Sequence, residues 1–114
     1  MKPIFDRNGR TIAWNKDKYI YDLTDRQVLA FINRESVFNY RGKYLGRFTN
    51  GFFRDLEGYT VAFVKGASNG PIKPITQIPP IPSIPPIPPI PPIPPIPPIN
   101  SLSWSNLTWD KYVN

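Results

Sequence analysis

Cysteine and histidine do not occur in this 114-residue chain. Without thiols, disulfides and thiolate metal sites are excluded. Without imidazole, the usual general base near neutral pH and the commonest metal ligand are missing too. No glycine-rich phosphate loop occurs, and no carboxylates stand at calcium-loop spacing. The acids are Asp6, Asp17, Asp22, Asp25, Glu35, Asp55, Glu57 and Asp110. With this inventory a non-enzymatic protein is expected, needing neither cofactor nor metal. Long apolar runs are lacking as well. The opening MKPIFDRNGRTIAW has no signal-peptide core, and nothing reaches the roughly 20 apolar residues of a membrane span. The expected location is the cytoplasm, with peripheral contact to a membrane kept open.

Proline is scarce over the first 70 residues and then dominates: residues 71 to 98 hold 15 of the 16 prolines. That shift divides the chain into an expected folded domain at 1–68, an Ile/Pro-rich tail at 69–100 and an aromatic C-terminal segment at 101–114. Charge divides the same way. Residues 1 to 65 carry 12 Lys+Arg against 7 Asp+Glu, whereas residues 71 to 114 carry only Lys73 and Lys111 against Asp110. The basic character therefore belongs to the domain and favours anionic partners.

Within the domain one pattern recurs four times. An apolar residue opens each copy at Ile4, Tyr21, Val37 and Phe53. Turn positions follow five residues later at Gly9, Arg26, Gly42 and Gly58, then branched aliphatics at Ile12, Leu29, Leu45 and Val61, each followed by Ala13, Ala30, Gly46 or Ala62. Each copy reads as a β-hairpin. Asn8-Gly9 suggests a two-residue I′ turn, Asp25-Arg26 a longer one, and NKDK, NRES and TNG serve as polar linkers between hairpins. Asp6 and Asp55 share one column just before the turn, where carboxylates cap the turn locally. A lone hairpin is marginal in water, so four must share a core. The expected fold is all-β: four hairpins around a pseudo-fourfold axis, a shallow eight-stranded barrel followed by an extended polyproline II tail. The Ala/Gly column faces the axis, and Trp14, Phe31 and Phe63 fill space farther out. Arg47 interrupts that aromatic column, either as a bend at the rim or as a cation aimed at a pocket or headgroup.

The strings GRTIAW, YIYDLTDRQVLAFI, SVFNYRGKYLGRFTNGFFRDLEGYTVAFVKGASNGPIKP and SLSWS resemble the bacterial four-fold beta flower family across residues 8 to 105. The resemblance implies a small all-β domain of four hairpin petals and implies no activity.

In the proline-rich segment isoleucine recurs at every third position from Ile72 to Ile99. Polyproline II has three residues per turn, so Ile78, Ile81, Ile84, Ile87, Ile90, Ile93 and Ile96 would form one ridge on a rod of roughly 90 Å at about 3.1 Å per residue. That ridge invites an unknown protein partner or self-association, and the spacing of Pro79, Pro82 and Pro85 suits a polyproline-reading domain. A plain spacer would need no partner. The C-terminal Leu102, Trp104, Leu107, Trp109 and Tyr112 are expected to fold back onto a petal or to bind a partner. A second candidate surface lies in FNYRGKYLGRFTNGFFRD, where Lys43, Arg47 and Arg54 interleave with Tyr44, Phe48 and Phe52. Such a mixture suits lipid headgroups at a membrane surface. Nucleic acid, resting on charge and stackable rings alone, ranks last among the expected partners.

Overall fold

The computed structural model describes residues 1–24, 27–74, 76, 94 and 97–114. Its order is β1 (Lys2–Phe5), β2 (Thr11–Lys16), β3 (Tyr19–Asp22), β4 (Val28–Asn33), β5 (Ser36–Asn39), β6 (Tyr44–Thr49), β7 (Phe52–Arg54), β8 (Thr60–Val64) and α1 (Trp109–Val113). Each strand pairs antiparallel with the next, and β1 pairs with β8, so the sheet closes into a barrel without a free edge.

Local chemistry repeats with the strands. Asp6, Asn39 and Asp55 each accept two backbone N–H groups on one side-chain oxygen: Asn8 and Arg10, Arg41 and Lys43, Glu57 and Tyr59, at 2.9 to 3.0 Å. The sequence paired Asp6 with Asp55 in this role; the structure adds Asn39. At each of these three turns a backbone i to i+3 bond closes onto a glycine, Gly9, Gly42 or Gly58, at φ between 80° and 92°. A side chain would resist that conformation. The pairing register shifts beside every hairpin turn, which marks a bulge. Replacing Asn39 with Ala should cost about 1 kcal/mol, as loss of a comparable cap does. A urea midpoint unchanged from the parent protein would show that the side chain carries nothing.

Three expectations need correction. Asn8 does not join Gly9 at positive φ, because the Asp6 side chain ties down a longer loop; the turn is not the two-residue I′ type. The second copy opens at Ile20, not Tyr21, since Ile20 pairs with Ala30 as Ile4 does with Ala13. Its extra residue lies in the turn, where Asp22 N–H reaches Gln27 O instead of a carbonyl four residues on. Finally, the expected linkers are tight turns within a continuous meander: Lys16 pairs with Tyr19, Asn33 with Ser36 and Thr49 with Phe52.

Two layers of side chain follow from strand alternation. Inside, Ile4, Ile20, Val37 and Phe53 meet Ala13, Ala30 and Ala62, all with no exposed surface. Outside, each seam between hairpins is covered by a cross-strand pair: Trp14 with Tyr21, Phe31 with Phe38 and Phe63 with Phe5. The last two pairs have ring centroids 5.4 and 5.5 Å apart. The remaining seam pairs Arg47 with Arg54.

The C-terminal segment folds back. Trp104 lies against Phe63, and Trp109, Tyr112 and Val113 of α1 join the barrel core, with Trp109 edge-on to Phe53 at 5.5 Å. Thr108 caps the helix with its side-chain oxygen. Ser105 anchors the approach: its N–H donates to Thr60 O and its hydroxyl to Asp55 Oδ2, each at 2.6 Å.

Candidate functional site

The arginine seam is where the repeat departs from itself. Arg54 occupies the column of Phe5, Tyr21 and Phe38, yet it is fully buried. Its guanidinium fork donates to Gly58 O at 2.8 Å, to Asn69 O at 3.1 Å and to Ser101 O. Burial, followed by the charge of Arg47, lowers its pKa from the usual value. Arg47 beside it donates to Asn100 Oδ1 at 3.2 Å and pairs with the exposed carboxylate of Glu35.

One side chain thus grips the backbone on both sides of the proline-rich segment, at Asn69 and at Ser101. Ser101 N–H bonds Gly58 O at 2.8 Å, and a Cβ on Gly58 would stand 2.2 Å from Ile99 O. The segment is therefore a loop with two anchored ends, and not a tail. Ile72 and Ile99 at its margins are 94% and 91% exposed. Ile78, Ile81, Ile84, Ile87, Ile90, Ile93 and Ile96 lie outside the described residues, as does the expected polyproline II ridge.

Gly46 completes the seam. It stands where the other copies have alanine, at φ 146°, and a Cβ there would sit 1.8 Å from Arg54 O. The β6–β7 ladder runs from Arg47–Arg54 to Thr49–Phe52, whereas two other seams continue one pair further, through Ala13–Asp22 and Ala30–Asn39. Arg54 O instead accepts the Tyr112 hydroxyl at 3.1 Å, which locks α1 to the seam.

Burial, then Tyr44 and Asp55 nearby, pushes the Tyr112 phenol well above 10.0. A raised folded-state pKa keeps the proton on in the native protein after the unfolded chain has lost it. This contribution to stability is full below about pH 10 and is lost as pH rises beyond it. Tyr112→Phe should lower stability by about 1 kcal/mol at neutral pH through the lost hydrogen bond. It should also flatten the decline above pH 10, seen as a smaller drop in melting temperature between pH 9 and 11. Tyr21 and Tyr44, also raised by burial, act in the same direction.

The six residues expected to form one binding surface are divided by the fold. Arg54 and Phe52 are buried, with the guanidinium 5.8 Å from the Phe52 ring centre. Phe48 packs on the core, 4.4 Å from Phe53, and Tyr44 lies edge-on to Phe38. Arg47 is engaged as described, and only Lys43 is open to solvent. Arg47 spans from the β4–β5 turn, at Glu35, to the returning chain, at Asn100. Residues that the sequence did not single out, Asn69, Asn100, Ser101 and Ser105, complete the arrangement. Extending the outer column from Phe5 through Tyr21 and Phe38 to Arg54 would have exposed an Arg-Arg pair needing polar cover.

Among the described residues no three metal-ligating side chains come together, and no helix is long and apolar enough to cross a membrane.

The repeat geometry meets its match in a family model described as 4-fold beta flower protein, which covers residues 2–113. The chain belongs to that family. The four petals of this beta flower are the hairpins β1–β2, β3–β4, β5–β6 and β7–β8, and the family match extends through the C-terminal segment that plugs them. No curated protein and no solved structure matches the chain. Membership carries a fold and no activity.

Proposed function

We propose that this beta flower is a non-enzymatic binding module whose barrel presents the Ile/Pro segment to another protein. The single observation that supports the reading is the grip of Arg54 on Asn69 and Ser101, which turns residues 70 to 100 into a loop on a fixed neck. Anchoring both ends lowers the entropy lost when the segment is bound, compared with a free tail. Isoleucine at every third position and repeated P-x-x-P spacing supply the recognition chemistry, regularly spaced apolar side chains on a chain whose prolines donate no backbone hydrogen bond. The absence of histidine and cysteine argues in the same direction, against catalysis. Lipid contact through the arginine seam is disfavoured, because Arg54 and Phe52 are committed inside the fold.

The test replaces residues 75–98 by a Gly/Ser stretch of equal length and leaves the neck intact. Solution mass is measured by light scattering over a concentration series, alongside titration with a polyproline-reading SH3 domain. Self-association or domain binding by the parent chain that the replacement abolishes supports the proposal. If the two proteins behave alike in both assays, the segment is a spacer and the proposal fails.

A further inference from the structure

The two ends of the barrel differ in charge. At the end carrying the hairpin turns, Arg7, Arg10, Arg41 and Lys43 are balanced by Asp6, Asp22, Asp55 and Glu57 among the described residues. The other end carries the tight turns between hairpins and the outer ends of β1 and β8. There Lys18 and Arg34 stand on turns, with Lys2, Lys16 and Lys65 at or beside strand ends, and all five are exposed. Among the described residues only Asp17 and Glu35 oppose them at this end, and the Glu35 carboxylate is occupied by Arg47. A cleft of about 560 Å³ opens at this end over the β8–β1 seam. Phe5, Phe63, Pro3 and Pro74 line it, Lys2, Lys65 and Lys73 edge it, and no acid contributes.

We infer that this basic end docks on an anionic lipid bilayer, with the lysine-edged cleft receiving headgroup phosphate. Cations on turn tips reach a surface without unfolding anything, and lysines near an anionic leaflet add their attractions. The apolar lining of the cleft suits the boundary between headgroups and acyl chains. A nucleic acid would seek exposed rings on which to stack its bases. The aromatic side chains most open to solvent, Tyr40 and Tyr59, lie beside the hairpin turns at the neutral end instead. Of the Ile/Pro segment the cleft uses only its first residues, Lys73, Pro74 and Thr76, so the inference does not rest on the proposed role of residues 77–98.

Full-length protein is sedimented with vesicles of phosphatidylcholine alone and of phosphatidylcholine containing phosphatidylserine, at low and at physiological salt. Binding to the anionic vesicles alone, weakened by salt, is expected. Lys16→Gln/Lys18→Gln/Lys65→Gln should weaken it roughly a hundred-fold, at about five-fold per lysine. Arg10→Gln/Arg41→Gln/Lys43→Gln removes equal charge from the opposite end and should change binding only a few-fold, both variants being compared at matched melting temperature. Equal losses in the two variants would overturn the inference. So would failure to sediment with anionic vesicles at low salt, or tighter binding to single-stranded DNA than to the vesicles.

Discussion

Gly46→Ala is expected to lower the unfolding free energy by about 3 kcal/mol or more, a large fraction of what a domain of this size holds. Two costs combine. At φ 146° a side chain is strained whatever the space around it, and here the space is filled by the Arg54 carbonyl, 1.8 Å from where the Cβ would lie. Backbone atoms cannot swing aside as a side-chain tip can, so relief requires moving β7 and with it the carbonyl that receives Tyr112. The fold supplies its own control. Ala30→Gly, in the same column of another petal, removes a methyl group without creating a clash and should cost about 1 kcal/mol. Urea melts of the two variants decide the matter: if Gly46→Ala is no worse than Ala30→Gly, the close approach at the seam is not a constraint on stability.

Arg54→Met has the second large effect. The substitution keeps an apolar stem and removes the fork, leaving the carbonyls of Gly58, Asn69 and Ser101 without the guanidinium. Hydrogen bonds to a charged group contribute about 1.5 to 3 kcal/mol each, and partial rehydration recovers some of that, so a net loss of about 3 kcal/mol is expected. Arg54→Lys should recover less than half, because an ammonium on a single stem cannot serve three carbonyls arranged around a planar fork. Protease sensitivity separates a local from a global effect. Cleavage should appear first between residues 97 and 105, at denaturant concentrations where the parent chain resists. A variant as stable and as resistant as the parent would mean that Asp55, Ser105 and Tyr112 hold the returning chain without the arginine.

Much of this architecture is legible in the sequence, because the four-column spacing encodes strand, turn and inner face together. Asp6 and Asp55 announce their turns, since a short carboxylate two residues before a bend has few other uses. The second petal misled by one residue: Tyr21 is apolar enough to mimic an opener, and a turn insertion is indistinguishable by spacing from a shift along the strand. Arg54 was harder. Its charge reads as solvent-exposed, and its burial depends on carbonyls 15 and 47 residues away that no local pattern announces. The return of the C-terminus was partly visible, because Trp104, Trp109 and Tyr112 are costly to leave in water. Where they dock is a matter of tertiary geometry, fixed by Asp55 and by the gap in pairing at Gly46.

The anchored neck also uncouples the length of the Ile/Pro segment from the survival of the fold. With both ends clasped at one guanidinium, lengthening the loop by one Ile-Pro-Pro unit changes only its closure entropy, about 0.1 kcal/mol for a flexible chain of this size. Even several times that figure, for a stiffer chain, is small beside the stability of a domain. Gain or loss of whole units during replication is therefore nearly invisible to folding, and the number of repeats is free to drift or to be selected for reach alone.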